Sequence, residues 1–575
     1  MREGGIMEIK SYAIIALAVL IGIFSIIPFG KKMEFRVRSA WLKAANGIKW
    51  VSLKTIGVAT CVFMALSYMF AFTNGMLLFD ASFIYRGLNF RPTVLSDKWF
   101  SPFLSILDMG INMPWFAGVW ATAFLILSIY CIVDVLDIQK KVSLWLVSGL
   151  CVTNSSMICQ QEYTGGNYTG VVALLFACLA AWFAIKSKDH ILYIGGSVIF
   201  VAFSAATYGA YVSVAPCLVI MKVLIDICRG KTAKENWKNS FLYCLEFVLG
   251  MFLYYLILRL EMHMLGLEIQ GYMGESSLSD ASVISDMLSW IPEAYKDIVI
   301  YYIGGEALAK GRLFLPAYIT NIMTVAFVVG IIISILCLKV KYSQIVEKKY
   351  NVPLMGVLIV ILPIVINLIY VMSQGGVHFL MIFTYVMPFL FFVKEIEYLS
   401  GICTNRGMPF KRLNVVFSIL LSVFIFSSII LSNAVFSSYY GFWIEAQSIG
   451  TRLLDRIENC EGFEGTEKVI IIGAMQGDSY YGEPGTDIKI LDAMVGPANL
   501  SNVNALNWGS WVKRFLSNIL GSNMEYVVYK KMNDYITTEQ LDTEEQQVLE
   551  EMGYFPRNNS VRKIGDAIYV RFPDE

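Results

Sequence analysis

The chain alternates long, nearly unbroken apolar stretches with short polar ones. Stretches of roughly the length a bilayer requires fall near 11–29, 55–73, 115–136, 142–159, 169–186, 190–207, 210–228, 240–258, 317–338, 353–372, 377–394 and 413–434. A helix needs about 20 mostly apolar residues to cross the hydrocarbon core, so the pattern predicts about twelve transmembrane helices. The weakest of the twelve is 142–159, which carries Asn154, Ser155 and Ser156. The first is followed by Lys31, Lys32, Arg36 and Arg38, with no small-residue cleavage site. It therefore reads as an anchor and not as a signal peptide.

Lys and Arg are distributed unevenly between the two alternating sets of loops. Loops 30–54, 137–141, 186–189, 229–239, 339–352 and 394–412 hold 23 basic residues. The other set, with the N-terminus and the two longest loops, holds 9. Positive loops stay in the cytoplasm, which places 74–114, 160–168, 259–316 and everything from about 435 outside. WFSPFLSILDMGINMPW suggests a helix lying along the outer interface from 99 to 108, and SVISDMLSWIPEAYKDIVIYYIGG suggests a second. The tail opens with the helical pattern FWIEAQSIGTRLLDRI, continues into the strand KVIIIG and closes on the strand AIYVRF. The fold class is thus a polytopic α-helical membrane protein with a small C-terminal extracytoplasmic α/β domain. Its parts are an anchor and basic loop (1–54), a multi-span membrane domain (55–434) and the tail domain (435–575).

Composition sharpens this. Of 575 residues, 57 % are hydrophobic and only 16 % charged, against about 25 % charged in soluble domains. Lys and Arg balance Asp and Glu at 45 each, leaving no surplus to neutralise nucleic-acid phosphates. Most of the 11 Cys residues sit in apolar runs, and His190, His263 and His378 are far apart, so neither a disulfide framework nor a Cys/His metal site is indicated.

Acids and aromatics at the outer ends of the spans are the candidate chemistry. Asp80 follows the second span, with Arg86 and Arg91 behind it. An ionisable group at headgroup level is a functional candidate, here as general base with the arginines gripping phosphate. The plainer role is a helix cap or an ion pair with Arg86. Asp97 is placed to cap the interfacial helix, and Lys98 to face a lipid phosphate. Glu162 is the only charge in its short loop, flanked by Tyr163, Asn167 and Tyr168, residue types that bind sugars, or else simply connect two helices. Arg259 and Glu261 end the eighth span, where basic residues commonly snorkel, and His378 begins the eleventh as a helix-end histidine. The Gly-containing segment IIGAMQGDSYYGEPG lacks a nucleotide fingerprint. Charges in the spans, such as Asp134, Lys222 and Asp226, lie near cytoplasmic ends. A coupled transporter needs acids nearer the midplane, which favours an enzyme.

From the second span onward the chain resembles the glucosyltransferase II family, membrane glucosyltransferases that decorate O-antigen and related surface polysaccharides. The resemblance is carried by FDASF (79–83), SDKW (96–99), NMPWFAG (112–118), QEYTGGNYTGVVALLFACLAAWF, ATYGAYVSVAPCLVI (206–220), KVIIIG and the closing MGYFPRNNSVRKIGDAIYVRF. Two departures stand out: one acid, Asp80, where a pair is common, and Lys98 in place of Arg, which keeps the charge but loses the planar fork. The resemblance implies a GT-C-like glycosyltransferase in the bacterial cytoplasmic membrane. It would move glucose or another hexose from undecaprenyl phosphate to a surface glycan on the outer face. Asp80, with Asp97 and Glu162 as alternatives, would be the base. Arg86, Arg91, Lys98 and Arg259 would stabilise the leaving phosphate, and Tyr163, Asn167 and Tyr168 would bind sugar. No cofactor is required, although Asp80 with Glu162 could hold a divalent metal. A separate flippase and donor synthase would supply the substrate. The alternatives are a polysaccharide polymerase or ligase, a flippase of lipid-linked sugars, or a scaffold.

Overall fold

The computed structural model describes residues 49–76, 97–163, 166–187, 191–266, 286–304, 315–347, 350–402, 409–473, 509–529, 531–532, 535 and 543–573. The expected anchor at 11–29 and the segment holding Asp80, Arg86 and Arg91 lie outside them.

The membrane part is a helical bundle. Its helices are α1 (Trp50–Thr73), α2 (Pro114–Leu136), α3 (Lys141–Thr153), α4 (Ser155–Glu162), α5 (Tyr168–Lys186), α6 (Leu192–Tyr208), α7 (Val214–Cys228) and α8 (Ala233–Leu265). They continue as α9 (Ile291–Val299), α10 (Ala317–Glu347), α11 (Asn351–Ile366), α12 (Met387–Ile402) and α13 (Pro409–Glu458). Among the described residues seven helices are long and apolar enough to cross a bilayer, and α3 with α4, bent by 49° at their break, brings the number to eight if the two count as one span. Three expected spans are not straight crossings. Stretch 210–228 holds the 15-residue α7, stretch 353–372 breaks at Asn367, and 377–394 opens as 3-10 turns before α12. Hydropathy registers apolar length, and a break lined by neighbouring helices costs no apolar character.

Small residues let the bundle close. α5 turns Ala173, Ala177, Ala180 and Ala181 into the core, the close-approach surface typical of helices in lipid. A Cβ on Gly250 of α8 would come within 2.5 Å of Val201, and one on Gly118 within 2.6 Å of Phe72. α8 starts with Thr232 accepting the Glu235 N–H at 3.4 Å and ends at Gly266 in the left-handed region (φ 60°), an N-cap and a glycine stop.

The basic loops gather at one end. Asp134 pairs with Lys49 and Lys186 at 3.3 Å each, and Asp137 with Arg229 at 2.7 Å. Buried Lys394 lies 3.8 Å from Glu397, whose carboxylate also takes the Gln139 and Lys140 backbone N–H groups. Asp226 is held by Lys222 and Lys231. One expectation fails within the spans: Glu246, in the middle of α8, is 1 % exposed, and neither oxygen makes a hydrogen bond of normal geometry. A single acid does not interrupt an apolar run, so the sequence pattern passes over it.

α13 has 50 residues, about 75 Å at 1.5 Å per residue, far more than a bilayer core. The span 413–434 and the helix that opens the tail are therefore one rod. Its last turns carry a four-stranded sheet, β1 (Lys468–Ile472), β2 (Glu525–Tyr529), β3 (Val561–Ile564) and β4 (Ala567–Arg571), in the order β2-β1-β4-β3. β1 runs parallel to both neighbours, and β3 and β4 form a hairpin. Val469 and Ile471 join the α13 core, while Ile470 and Ile472 pack beneath Tyr535 and Leu549. Burial on both faces is why KVIII is an unbroken apolar run.

Candidate active site

The site is built around the break between α3 and α4. Asn154 stands between them and serves both. Its amide donates to the Leu150 and Cys151 carbonyls at 3.0 and 2.8 Å, and its oxygen accepts the Met157 N–H at 3.0 Å. One side chain thus closes α3 and caps α4. The turn after α4 is sealed in the same way. Gln160 donates to the Asn167 carbonyl at 3.1 Å, and Asn167 donates to Gln161 at 2.9 Å. Gly170 leaves room for this, since a Cβ there would lie 2.0 Å from Gln160.

The break carries Glu162 to the end of the bundle opposite the ion-paired loops. Its carboxyl is fully buried and faces the Tyr439 hydroxyl and the Cys159 thiol. Neither oxygen makes a hydrogen bond of normal geometry, and among the described residues no cation pairs with it. Tyr68 packs on Phe436 of α13 and donates to the Val152 carbonyl at 2.6 Å. Ser155, Ile158 and Glu162 share one face of α4 at helical spacing. Ser155 shares a hydrogen bond with Tyr301 at 3.2 Å, and Ser156 donates to the Leu380 carbonyl at 3.0 Å. A second buried acid, Asp297 on α9, takes the Tyr385 hydroxyl at 2.5 Å and the Asn367 amide at 3.1 Å. Beside α4 lies a small cavity of about 20 Å³, bordered by Asn154, Ser155, Tyr301 and Tyr385 and otherwise by apolar side chains such as Ile319 and Leu431.

A cationic corner adjoins this wall. Lys98 stands 4.9 Å from the centre of the Tyr208 ring. Tyr208 contacts Tyr211, which contacts Phe383. His378 heads the 3-10 turn of residues 379–381, its carbonyl accepting the Met381 N–H at 2.9 Å. Its Nδ1 is buried with no hydrogen-bond partner.

The remaining expectations fall as follows. Asp97 does not cap a helix. The regular part of its segment is only Ser101–Leu104 with Phe100 at the cap position, so the expected interfacial helix over 99–108 shortens to one turn. Asp97 instead sits at φ 60° with its carbonyl taking the Tyr254 hydroxyl at 3.3 Å. In the second stretch a helix does form, as α9 and the π turn Ile300–Gly304. Asn167 and Tyr168 are buried and committed within the protein, Tyr168 donating to Asp108 at 2.7 Å, while Tyr163 is half-buried. Arg259 is exposed and donates to Tyr255 at 2.7 Å on its own helix. Asp80, Arg86 and Arg91 lie outside the described residues. No group of three or more His, Cys, Asp or Glu suited to a metal ion occurs among the described residues. Asp297, Tyr301, Tyr385 and Tyr439 were not singled out from sequence. The one available signal was the recurrence of tyrosines after expected outer ends.

Comparison with curated proteins and with solved structures finds no significant match. Residues 69–394, however, match the family model described as glucosyl transferase GtrII. That stretch runs from the end of α1 into α12 and contains Lys98, Glu162, Asp297 and His378. The chain belongs to the glucosyl transferase GtrII family and is a polytopic membrane glycosyltransferase.

Proposed function

We propose that the protein transfers a hexose, glucose in the first instance, from a polyprenyl-phosphate donor to a surface glycan on the outer face of the bacterial cytoplasmic membrane. The observation that carries this reading is Glu162: a buried carboxyl among tyrosines, with no paired cation among the described residues, at the bundle end opposite the basic loops. Burying an acid without a partner is costly, and a ligand rich in hydroxyl donors offsets that cost. A hexose is such a ligand. The tail sheet on α13 stands at the same end, where a glycan acceptor would arrive.

In this reading Asp80 removes the proton from the acceptor hydroxyl as it attacks the anomeric carbon. The bond from that carbon to the phosphate oxygen breaks, and the electron pair leaves with the polyprenyl phosphate. Glu162 accepts hydrogen bonds from the sugar hydroxyls and fixes the ring for attack. Lys98, Arg86 and Arg91 offset the charge that develops on the leaving phosphate. No step calls for a metal.

The test is transfer of label from undecaprenyl-phosphate-[14C]glucose to surface glycan by the purified protein, beside Asp80→Asn and Glu162→Gln. The expected result is transfer by the wild type, none by Asp80→Asn, and a raised KM with reduced kcat in Glu162→Gln. Full loss in Glu162→Gln with transfer retained in Asp80→Asn exchanges the two roles. No transfer from any phospholipid-linked hexose overturns the reading in favour of a polymerase or flippase.

A further inference from the structure

We propose that Asp108 is a positioning residue for Glu162, acting through Tyr168 and Asn167. The inference rests on the transfer reading above and deepens it by naming what holds the sugar-binding carboxyl in its place.

A run of hydrogen bonds joins the two acids. Asp108 lies in the turn between the short helix Ser101–Leu104 and α2, and it is 1 % exposed. One of its oxygens accepts the Tyr168 hydroxyl at 2.7 Å, and the other accepts the Gly110 N–H at 2.9 Å. Tyr168 is buried and is the first residue of α5. Asn167, immediately before it, is tied to the last turn of α4 at two points. Its carbonyl accepts the Gln160 side-chain amide at 3.1 Å, and its own amide donates to the Gln161 side chain at 2.9 Å. Glu162 is the next residue and ends α4.

Each of these contacts is suited to fixing a position. Met109 and Gly110 both take positive φ, 54° and 70°, which is uncommon for a residue with a side chain. The bond from Gly110 to Asp108 holds the loop in that shape and so aims the carboxylate. Burying a carboxylate is costly, but its hydrogen bonds are stronger than neutral ones, and here one of them anchors the start of α5. A single bond from Asn167 would let the last turn of α4 pivot. Two bonds, to consecutive residues, set its rotation as well as its height. Glu162 makes no hydrogen bond of normal geometry among the described residues, so the backbone of α4 alone decides where its carboxyl points. Asn154 fixes the first turn of that helix, and Asn167, with Asp108 behind it, fixes the last. A shift of about 1 Å at a group that orients substrate can cost about a hundredfold.

The experiment reads how strongly the protein recognises the sugar of its donor. Undecaprenyl-phosphate-glucose and undecaprenyl methyl phosphate, which keeps the phosphodiester charge and lacks the sugar, are titrated into the full-length protein in detergent by isothermal calorimetry. The ratio of the two Kd values is the sugar preference. The proteins are the wild type, Glu162→Gln, Tyr168→Phe, Asp108→Ala, Asp108→Asn and the double variant Tyr168→Phe/Glu162→Gln. The wild type is expected to favour the glucosylated lipid at least tenfold. Tyr168→Phe and Asp108→Ala lower that preference at least threefold while still binding the methyl phosphodiester, which certifies their fold. Asp108→Asn regains part of it, because its amide can still hold the Tyr168 hydroxyl, which then donates to the Leu104 carbonyl 3.1 Å away. The double variant matches Glu162→Gln within twofold, since a residue that acts through Glu162 has nothing left to position. A residue that only stabilised the fold would weaken both lipids alike and leave the ratio unchanged. If the preference falls less than threefold in Tyr168→Phe, or falls as far again when Glu162 is already Gln, the inference is overturned and the transfer reading stands. If the wild type shows no sugar preference, or Glu162→Gln keeps it, the sugar-binding role of Glu162 falls and the inference falls with it.

Discussion

Tyr385 donates its hydroxyl to Asp297 at 2.5 Å, joining the segment that leads into α12 to the helix α9. Asn367, at the break after α11, donates to the same carboxylate oxygen and to the Ala294 carbonyl, both at 3.1 Å. One buried acid therefore fastens three discontinuous pieces of backbone, all at irregular points. Irregular backbone is tolerated at membrane depth only where protein groups satisfy it. Asn367 donates to the Ala294 carbonyl, Thr384 to that of Ile366 and Tyr302 to that of Tyr385, and Asp297 holds the Asn367 and Tyr385 side chains in place.

Removing one donor should be felt as stability. Tyr385→Phe keeps the ring contacts and deletes only the hydroxyl, leaving Asp297 with the Asn367 amide. Loss of a partner to a buried acid costs about 1–3 kcal/mol. We expect Tyr385→Phe to lower the unfolding temperature in detergent, and Asn367→Ala to lower it as well. The two together should cost more than the sum of the singles, because the second loss strips the carboxylate further. An unchanged melting temperature in Tyr385→Phe would show that the bond is not a fastening.

The break between α3 and α4 yields a prediction about activity. Asn154 is the sole described side chain that closes one helix and caps the other. Asn154→Leu removes the cap, worth about 1 kcal/mol, and favours a continuous helix. A straightened helix would carry Glu162 away from Tyr439 and Ser156 away from Leu380. Transfer should fall at least tenfold while helix content by circular dichroism stays the same. Asn154→Asp, which keeps the capping oxygen, should retain more activity than the leucine variant.

The sequence legibility of this molecule follows from what hydropathy registers. Long apolar helices such as α1, α2 and α5 were read to within a few residues, because apolar length is what a bilayer demands. The sharing of one end by Lys49, Asp134, Lys186, Arg229 and Lys394 was anticipated by the basic loops. What hydropathy missed is the irregular backbone at Asn154, Asn367 and 379–386, where tertiary hydrogen bonds replace helical ones. The site suffers from the same blindness. Glu162 was found because it is a lone charge, whereas Asp297 and Tyr385 meet only through a fold that brings together residues 88 positions apart. His378, expected at a helix end, heads a 3-10 turn instead. Asp97 was read as a cap from its spacing alone, and the chain takes a left-handed turn there instead.

The ion-paired end makes a further prediction. Burial would raise the Asp137 carboxyl, but hydrogen bonds from Gln139 and Arg229 and the Lys394 charge outweigh it and hold the carboxyl at about 2. Asp137 also terminates α2 in the left-handed conformation. Asp137→Asn keeps the shape and a residue tolerant of that backbone, and removes only the charge. Lys394 is then left buried with Glu397 as its remaining acid within ion-pair distance among the described residues. Lower thermal stability at neutral pH is expected in Asp137→Asn. Lys394→Met added to it should restore part of the loss, since the buried ammonium then no longer has to be desolvated against one acid in place of two. Failure of the double variant to recover would place the effect in the backbone turn and not in the charge.

Glu467 provides the last prediction, one that is read through pH. It precedes β1 and accepts the backbone N–H groups of Glu464, Gly465 and Thr466 at 2.7, 2.8 and 3.1 Å. Lys563 of β3 reaches the same carboxylate at 2.8 Å. The Lys563 bond first, and the backbone donors with it, hold the carboxyl down at about 2, and the same bond raises Lys563. A carboxyl whose folded pKa is depressed stabilises the fold fully above its unfolded value, near 4.3. That stabilisation disappears as pH falls through the folded value. Glu467→Gln should therefore melt below the wild type at pH 7, and the gap between the two should narrow steadily from about pH 4.5 toward pH 2. Lys563→Met should reproduce most of the gap at pH 7, because the ammonium is the largest contributor to it. A gap that stayed constant from pH 7 to pH 2.5 would mean that shape, not charge, fixes this end of the sheet, and would remove Glu467 as an electrostatic clamp between β1 and β3.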